Sequence, residues 1–378
     1  MTQAERMNDY RKMLRGPFTK LCRLRFLQPD GSTAFALDNN PTGRFAGAFI
    51  ADGSLSVNLN NGQRRTASVT LANLDGAFDY NINRVWFGNR IALDEGLVLS
   101  DGTDFYIQQG VFLAKDPVET VEPAKRTAQY DLVDKWADLD GTLFGYLEST
   151  YEVRTGTNVF APIAALLKLD RGNGELVDNV VPVFTEYYNG KTQQLADGST
   201  AKLTDAPYTL RVDSDKPLAW QFSQSEAELL GAAYTEKNTE VYNDFIVIGE
   251  AVNNSPQVAA RAQNIDPASS TNVNRIGRKT VRYRAAGYST KRQCEDLAVW
   301  KLKRSAVLQK SVSVSCSQIM HLNENELISI VRNDKPGSPV ERHLVQGFTR
   351  PLTWSGPMQI SAVSVQDFPT ATVTGWPA

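Results

Sequence analysis

Two histidines, His321 and His343, are the only imidazoles in the 378-residue chain. A histidine-based hydrolase would need a nucleophile and an orienting carboxylate gathered around one of them. Neither lies near a Gly-x-Ser-x-Gly turn, so no local signature of such a site surrounds them. Asp138-Leu-Asp140-Gly141 and Asp213-Ser-Asp215 have the spacing of two ligands of a calcium loop. Neither continues to a bidentate glutamate at the required distance, so both read as turn and cap residues. Gly172-Asn-Gly174 follows no strand in the order that a dinucleotide-binding turn requires. The three cysteines, Cys22, Cys294 and Cys316, are odd in number and lack metal-ligand spacing. They read as reduced, buried thiols rather than a disulfide framework or a zinc site. The expectation is a chain with no catalytic, metal or cofactor-binding residues, and so not an enzyme.

Arg278, Lys279, Arg282 and Arg284 form a short basic stripe, in which Arg282 and Arg284 alternate with Tyr283 and Ala285. That alternation puts both arginines on one strand face. Lys301, Lys303 and Arg304 add charge on a following helical segment. The stripe suits an acidic partner, or DNA in transit through a lumen. A plain solvated face suits the balanced net charge of −2 better. Six tryptophans (86, 136, 220, 300, 354 and 376) could build a sugar platform, but their scatter, one per element, favours core anchors.

The elements that position these residues are mostly strands. Leu55, Val57 and Leu59 alternate with polar residues, Asn61-Gly62 makes a tight turn, and Val69 and Leu71 carry the return strand. Asp75-Gly76 turns again before a third strand led by Trp86. Further strands are expected at 21–27, 105–114 and 127–133, then at 241–250, 312–317 and 327–331, with a last alternating segment at 345–373. Met7, Tyr10 and Leu14 share one face of a short N-terminal helix that Gly16-Pro17 stops. This apolar face is expected to dock on a neighbouring subunit or another protein, with packing on the chain's own barrel as the alternative. Trp136, Leu139, Leu143 and Leu147 have helical spacing, as do Ile163, Leu166 and Leu167. Ser225 with Glu228, and Thr290 with Gln293, have the spacing of capping boxes opening two more helices. The segments 170–217 and 252–280 read as polar insertions.

Hydrophobic content of 42% and charged content of 22% are those of a folded chain with room for two or three cores. No apolar run approaches the ~20 residues of a membrane span. The charged N-terminus lacks the apolar core of a secretory signal, so synthesis in a cytoplasm is expected.

The succession Ser-Leu-Ser-Val, Asn-Gly, Arg-Arg-Thr-Ala-Ser-Val-Thr-Leu, Asn-Leu-Asp-Gly-Ala-Phe and Val-Trp-Phe-Gly-Asn-Arg-Ile, over residues 54–91, resembles the opening barrel of phage tail hub proteins. Phe105-Tyr-Ile-Gln-Gln-Gly-Val-Phe-Leu and Asp131-Leu-Val-Asp-Lys-Trp continue the likeness. Late in the chain, Gln293–Leu308, Ser311-Val-Ser-Val-Ser-Cys and Leu322-Asn-Glu-Asn-Glu-Leu-Ile-Ser-Ile-Val resemble the family's second barrel. The resemblance implies a mainly β fold with α (α+β): two β-barrel-like tail-hub domains, short helices and a helical connector. The implied division is an N-terminal helix (1–17), a first barrel (18–135 with about 345–378), a connector with an inserted loop or hairpin (136–240) and a second barrel (241–344).

The implied function is structural. Such hubs form a trimeric ring in the virion, at the tail tip or baseplate, between the tail tube or distal tail protein and a spike or fibre. The tape-measure protein ends there, and DNA passes through the lumen without any membrane insertion by the chain. A hexameric distal tail protein is the nearer alternative, as a homohexamer. A glycan-binding or wall-degrading tail protein is the more distant one.

Overall fold

The computed structural model describes residues 2–40, 48–79, 85, 88–123, 125–138, 140–143, 165–166, 168, 193–194, 200–201, 216–223, 229–251, 256–307, 309–354, 356–365 and 371–374. The fold is mainly β with a few short helices, as the alternating patterns imply.

Helix α1 (Gln3–Met13) opens the chain. The Thr2 hydroxyl accepts from the Glu5 amide while the Glu5 carboxylate accepts from the Thr2 amide, so two amides that no helix turn can satisfy find partners. Seven strands follow: β1 (Lys20–Leu27), β2 (Thr33–Asp38), β3 (Ala48–Asn58), β4 (Arg65–Asn73), β5 (Arg90–Val98), β6 (Asp104–Glu122) and β7 (Lys125–Asp134). The alternation in Lys-Leu-Cys-Arg-Leu-Arg-Phe-Leu buries Cys22, Leu24 and Phe26 and turns Arg23 and Arg25 outward. Two short strands, β8 (Gln193–Gln194) and β9 (Thr200–Ala201), pair with each other. The remainder comprises β10 (Leu218–Ser223), β11 (Leu229–Lys237), β12 (Asp244–Ile248), β13 (Ala259–Asn264), β14 (Thr280–Arg284), β15 (Gln309–Cys316), β16 (Leu327–Val331), β17 (Val340–Pro351), β18 (Met358–Ser364) and β19 (Ala371–Thr374). Helix α2 (Val273–Ile276) precedes β14, and α3 (Lys291–Ser305) precedes β15.

One large sheet runs in the order β11-β15-β18-β17-β3-β4-β7-β6-β5-β1-β2, with β16 joining β17 and β10 joining β16. Strand β17 is its seam. The residues from Val340 to Leu344 pair with β16, and those from Gly347 to Pro351 pair with β3, placing Phe348 opposite Val57. At this seam the residues from Gly347 to Pro351 join the first group of strands, whereas β18 pairs with β15 and β17, and β19 pairs with β13. Among the described residues the path is open from β11 to β2, so their pairing does not close the two barrels that the resemblance implies.

A second sheet, in the order β14-β12-β13-β19, carries α3 on one face. Cys294, Ala298 and Leu302 pack there with Phe245, Val247, Ala260 and Ala262. Gly249 permits the close approach: a Cβ on it would lie 2.3 Å from the Tyr288 carbonyl oxygen and 2.9 Å from the Cys294 sulfur. The Thr290–Gln293 capping box forms as its spacing predicts.

Strand pairing groups several elements differently from the sequence reading. The strand expected at 241–250 lies in the four-stranded sheet, whereas those expected at 312–317 and 327–331 lie in the large one. The helix expected after Ser225 is strand β11 instead. Its small residues Gly231, Ala232 and Ala233 carry little periodic signal, and β15 supplies eight residues of antiparallel partner. Ser225 and Glu228 lie outside the described residues. The helix expected around Trp136 is a single 3₁₀ turn (Lys135–Asp138), with Leu139 and Leu147 outside the description. The described third strand starts at Arg90 rather than Val85. The polar segment 252–280 contains β13 and α2. The segment 170–217 and the helix at 159–169 lie mostly outside the described residues.

Candidate functional site

A buried polar cluster joins β17 to β1, β5 and β6. Arg350, on β17, is the largest fully buried side chain. Its Nε donates to Glu95 Oε2 at 2.9 Å, its Nη2 donates to the same oxygen and to Gln109 Oε1, and its Nη1 donates to the Ile319 carbonyl. Lys20 Nζ lies 2.7 Å from Glu95 Oε1 and donates to Gln318 Oε1 and the Pro351 carbonyl. The amide of Gln109 donates to the Ile107 and Met320 carbonyls, and that of Gln318 to the Thr353 and Gly356 carbonyls. One buried carboxylate therefore carries two buried cations. Burial pushes the Lys20 ammonium below its ordinary value, which its contact with Glu95 counteracts in part. Burial alone would raise the Glu95 carboxyl, but Arg350 and Lys20 outweigh it and hold the group below the usual range. Glu95 on β5 thereby ties Lys20 on β1 and Arg350 on β17 together, which suits the cluster to locking strands to one another.

Helix α1 rests on the same junction. Tyr10 is fully buried, Leu14 is 2% exposed, and Met7 packs beside them on the large core. The Tyr10 hydroxyl accepts from the His321 backbone amide. This corrects the expectation that Met7, Tyr10 and Leu14 dock on a neighbouring subunit: an apolar helical face too short to persist alone is satisfied by the protein's own sheet. Leu14→Ala is accordingly expected to destabilise the fold by about 2–4 kcal/mol. Thermal unfolding of the isolated protein tests this, and a variant with unchanged melting but impaired assembly would return the helix to an intersubunit role.

The histidines sit apart. His321 Nδ1 lies 3.3 Å from Tyr10 Oη and Nε2 lies 3.4 Å from the Ala219 carbonyl oxygen, with the Trp220 ring in an edge contact at 5.5 Å between centroids. His343 Nδ1 lies 3.2 Å from Ser364 Oγ, and Nε2 lies 3.7 Å from Glu341 Oε2. Burial pulls both imidazoles down to about 4. The Ser364–His343–Glu341 row superficially suits a hydrolytic relay. Its histidine–carboxylate gap exceeds a hydrogen bond, and Glu341 is instead held by Arg332 and by Lys335 at 2.8 Å.

The remaining candidates are distributed as follows. Asp140 accepts from the Thr142 amide and from Gln63, the turn role expected of it. Asp213, Asp215, Gly172 and Gly174 lie outside the described residues. No three His, Cys, Asp or Glu side chains gather as a metal site among the described residues. All three cysteines are free and buried. Of the tryptophans, Trp220 is a core anchor, but Trp136 and Trp354 are 49% and 61% exposed, correcting the reading of core anchors throughout. Trp86 and Trp376 lie outside the described residues.

The basic stripe does assemble. Arg282 and Arg284 are exposed on one face of β14, with Arg278 exposed just before it. Lys279 is half-buried and donates to the Asn238 carbonyl. On the opposite face, Lys301 from α3 lies 4.4 Å from the Tyr283 ring centroid, and both Lys301 and Arg304 approach the Trp300 ring. Strand and helix together make a cationic, aromatic edge of the small sheet.

No protein-family model matches the sequence, and no curated protein matches it. Solved structures do. A tail protein from Neisseria meningitidis MC58 aligns over 93% of this chain and 97% of its own, with a TM-score of 0.50 at 8% identity. The 43 kDa tail protein of prophage MuSo2 from Shewanella oneidensis aligns over 92% of this chain and 98% of its own, with a TM-score of 0.50 at 12% identity. Both alignments run nearly end to end, across the large sheet and the small one. The resemblance to phage tail hub proteins therefore stands at the level of the fold, and the chain shares its architecture with tail proteins.

Proposed function

We propose that this chain is a structural component of a phage tail tip or baseplate. In this reading three copies form a hub ring between the tail tube or distal tail protein above and a spike or fibre below. The tape-measure protein ends within the ring, whose opening lets DNA pass, and the chain itself makes or breaks no bond. The observation that carries the reading is the end-to-end fold match to two tail proteins. The buried Lys20–Glu95–Arg350 cluster supports it, because a load-transmitting ring needs its two groups of strands held rigidly. The exposed arginines of β14 serve as a partner face in this ring.

Copy number in assembled particles tests the proposal, by imaging or quantitative mass spectrometry. Three copies per tail tip are expected. Six would identify a distal tail ring instead, and absence from particles would overturn both.

A further inference from the structure

The small sheet and its helix are charged unlike the rest of the chain. From the start of β12 to the end of α3, residues 244–305 carry eleven Lys and Arg against five Asp and Glu, a net +6. The whole chain is −2, so the remaining residues together carry −8. Such a contrast inside a chain of balanced charge is the mark of a surface for a polyanion.

Strand β14 sets Arg282 beside Ile246 and Arg284 beside Ile248 of β12, on the face turned away from α3. Asp244 is the acidic residue on that face of β12, β13 and β14, and it is already committed. Fully buried, it accepts from Arg261 at 2.8 and 2.7 Å and from the Thr280 hydroxyl at 2.6 Å. Arg278, Arg282 and Arg284 are exposed and make no ion pair or hydrogen bond among the described residues. The backbone that presents them is fixed in advance. Buried Asn243 donates to the Gly277 carbonyl and accepts from the Lys279 amide, each at 2.8 Å, and so brackets Arg278. Groups ordered before binding cost less to engage.

An acidic protein segment and a phosphodiester backbone both carry the required charge, and the arrangement favours the second. The cations do not converge on a pocket. Arg282 and Arg284 stand about 6.7 Å apart along one strand face, and Lys301 over Tyr283 and Arg304 over Trp300 carry the positive field around to the other side. That is the layout for a row of charges. Because each ring already has a cation over it, the face offers charge rather than a platform for unstacked bases.

We propose that Arg278, Arg282 and Arg284 form a sequence-independent contact face for the phosphate backbone of duplex DNA. This rests on the ring reading above only for its setting, the passage of DNA through a tail.

Fluorescence anisotropy of a labelled duplex of about 20 base pairs, titrated with the full chain between about 50 and 200 mM salt, tests it. The logarithm of the binding constant is expected to fall by about 0.9 per phosphate contacted for each decade of salt. The triple variant Arg278→Gln, Arg282→Gln, Arg284→Gln is expected to lose roughly 2.7 of that slope and to bind at least about tenfold more weakly at the low-salt end. All three side chains are exposed, so an unchanged thermal transition is expected to confirm folding. Lys12→Gln with Lys310→Gln, two exposed cations outside the unit, is expected to leave the slope unchanged. A wild type that does not bind at the lowest salt overturns the proposal, as does an unaltered slope in the triple variant or an equal loss in the control. A single strand of the same length that binds more tightly than the duplex overturns it in favour of base stacking. Poly-glutamate that displaces the duplex at equal charge overturns it in favour of an acidic protein partner. Copy number in particles is independent of these outcomes, so a failed DNA contact leaves the ring reading standing.

Discussion

Glu95→Gln is expected to destabilise the large sheet by about 3–5 kcal/mol, the usual consequence of removing one partner from a buried ion pair. The loss is large because, among the described residues, Glu95 is the only counter-charge paired with these two buried cations. Glutamine keeps the shape and can still accept from Arg350, but it removes the negative charge and turns an amide toward Lys20. Two cations would then face each other across a dry interior, and Lys20 would have to lose its proton to relieve them. Glu341→Gln is the control. Glu341 also holds two cations, Arg332 and Lys335, but is 29% exposed. Water screens that cluster, so the same substitution there is expected to cost about 1 kcal/mol or less. Calorimetry of both variants at pH 7 decides the matter. Equal shifts would mean that the Glu95 cluster is as solvated as the Glu341 cluster.

The depressed Glu95 carboxyl also gives a direction in pH. Its contribution is fully present above the ordinary carboxylate range and disappears as pH falls through its lowered folded value. In Glu95→Gln that part of the acid sensitivity is expected to vanish.

Local features of this fold were largely legible in the sequence, whereas long-range ones were not. The β3–β4 hairpin, the alternation of Leu55 and Val57, and the Thr290–Gln293 cap are written in neighbouring residues and form where their patterns lie, although Asn61-Gly62 sits in a longer loop with neither residue at positive φ rather than in a tight two-residue turn. Strand β11 was missed because Gly231, Ala232 and Ala233 do not distinguish a period of 2 from one of 3.6. The charge cluster was missed for a different reason. Lys20, Glu95, Gln109, Gln318 and Arg350 are spread over most of the chain, and each looks like an ordinary surface residue in its own segment. The one local hint is the run Arg90–Val98, where Asp94-Glu95 interrupts an otherwise apolar strand buried on both faces. That Arg282 and Arg284 share one strand face was legible, because a period of 2 is local. Its place at a sheet edge depends on β12 and β13, which sequence pattern does not order.

Acidification from pH 7 to pH 5 is expected to remove about 2 kcal/mol of stability for each buried histidine, or roughly 4 kcal/mol together, by linkage. His321 and His343 have folded values pulled down to about 4, against about 6.5 in an unfolded chain. A group with a depressed folded value binds fewer protons folded than unfolded. Stability is therefore complete above about pH 6.5 and falls as pH drops toward 4, where the folded imidazoles begin to protonate. The surroundings agree with the direction. His321 is buried between Tyr10 and Trp220, and the positive fields of Arg11 and Arg350 oppose its charging. His343 faces Glu341, which favours the charged ring, but burial and the nearby Arg332 prevail. Denaturant titrations of wild type, His321→Asn and His343→Gln at pH 7 and pH 5 isolate the effect, since the acidic residues titrate alike in all three. Each substitution is expected to lower stability at pH 7 yet remove about half of the decline toward pH 5. A variant that declines as steeply as the wild type would mean that its imidazole is already free to protonate in the folded state. A protein with this property would loosen around α1 and the β17–β18 pair in an acidifying environment, while the Glu95 cluster, whose carboxyl is held below its ordinary value by Arg350 and Lys20, continued to hold β17 to the first group of strands at pH 5.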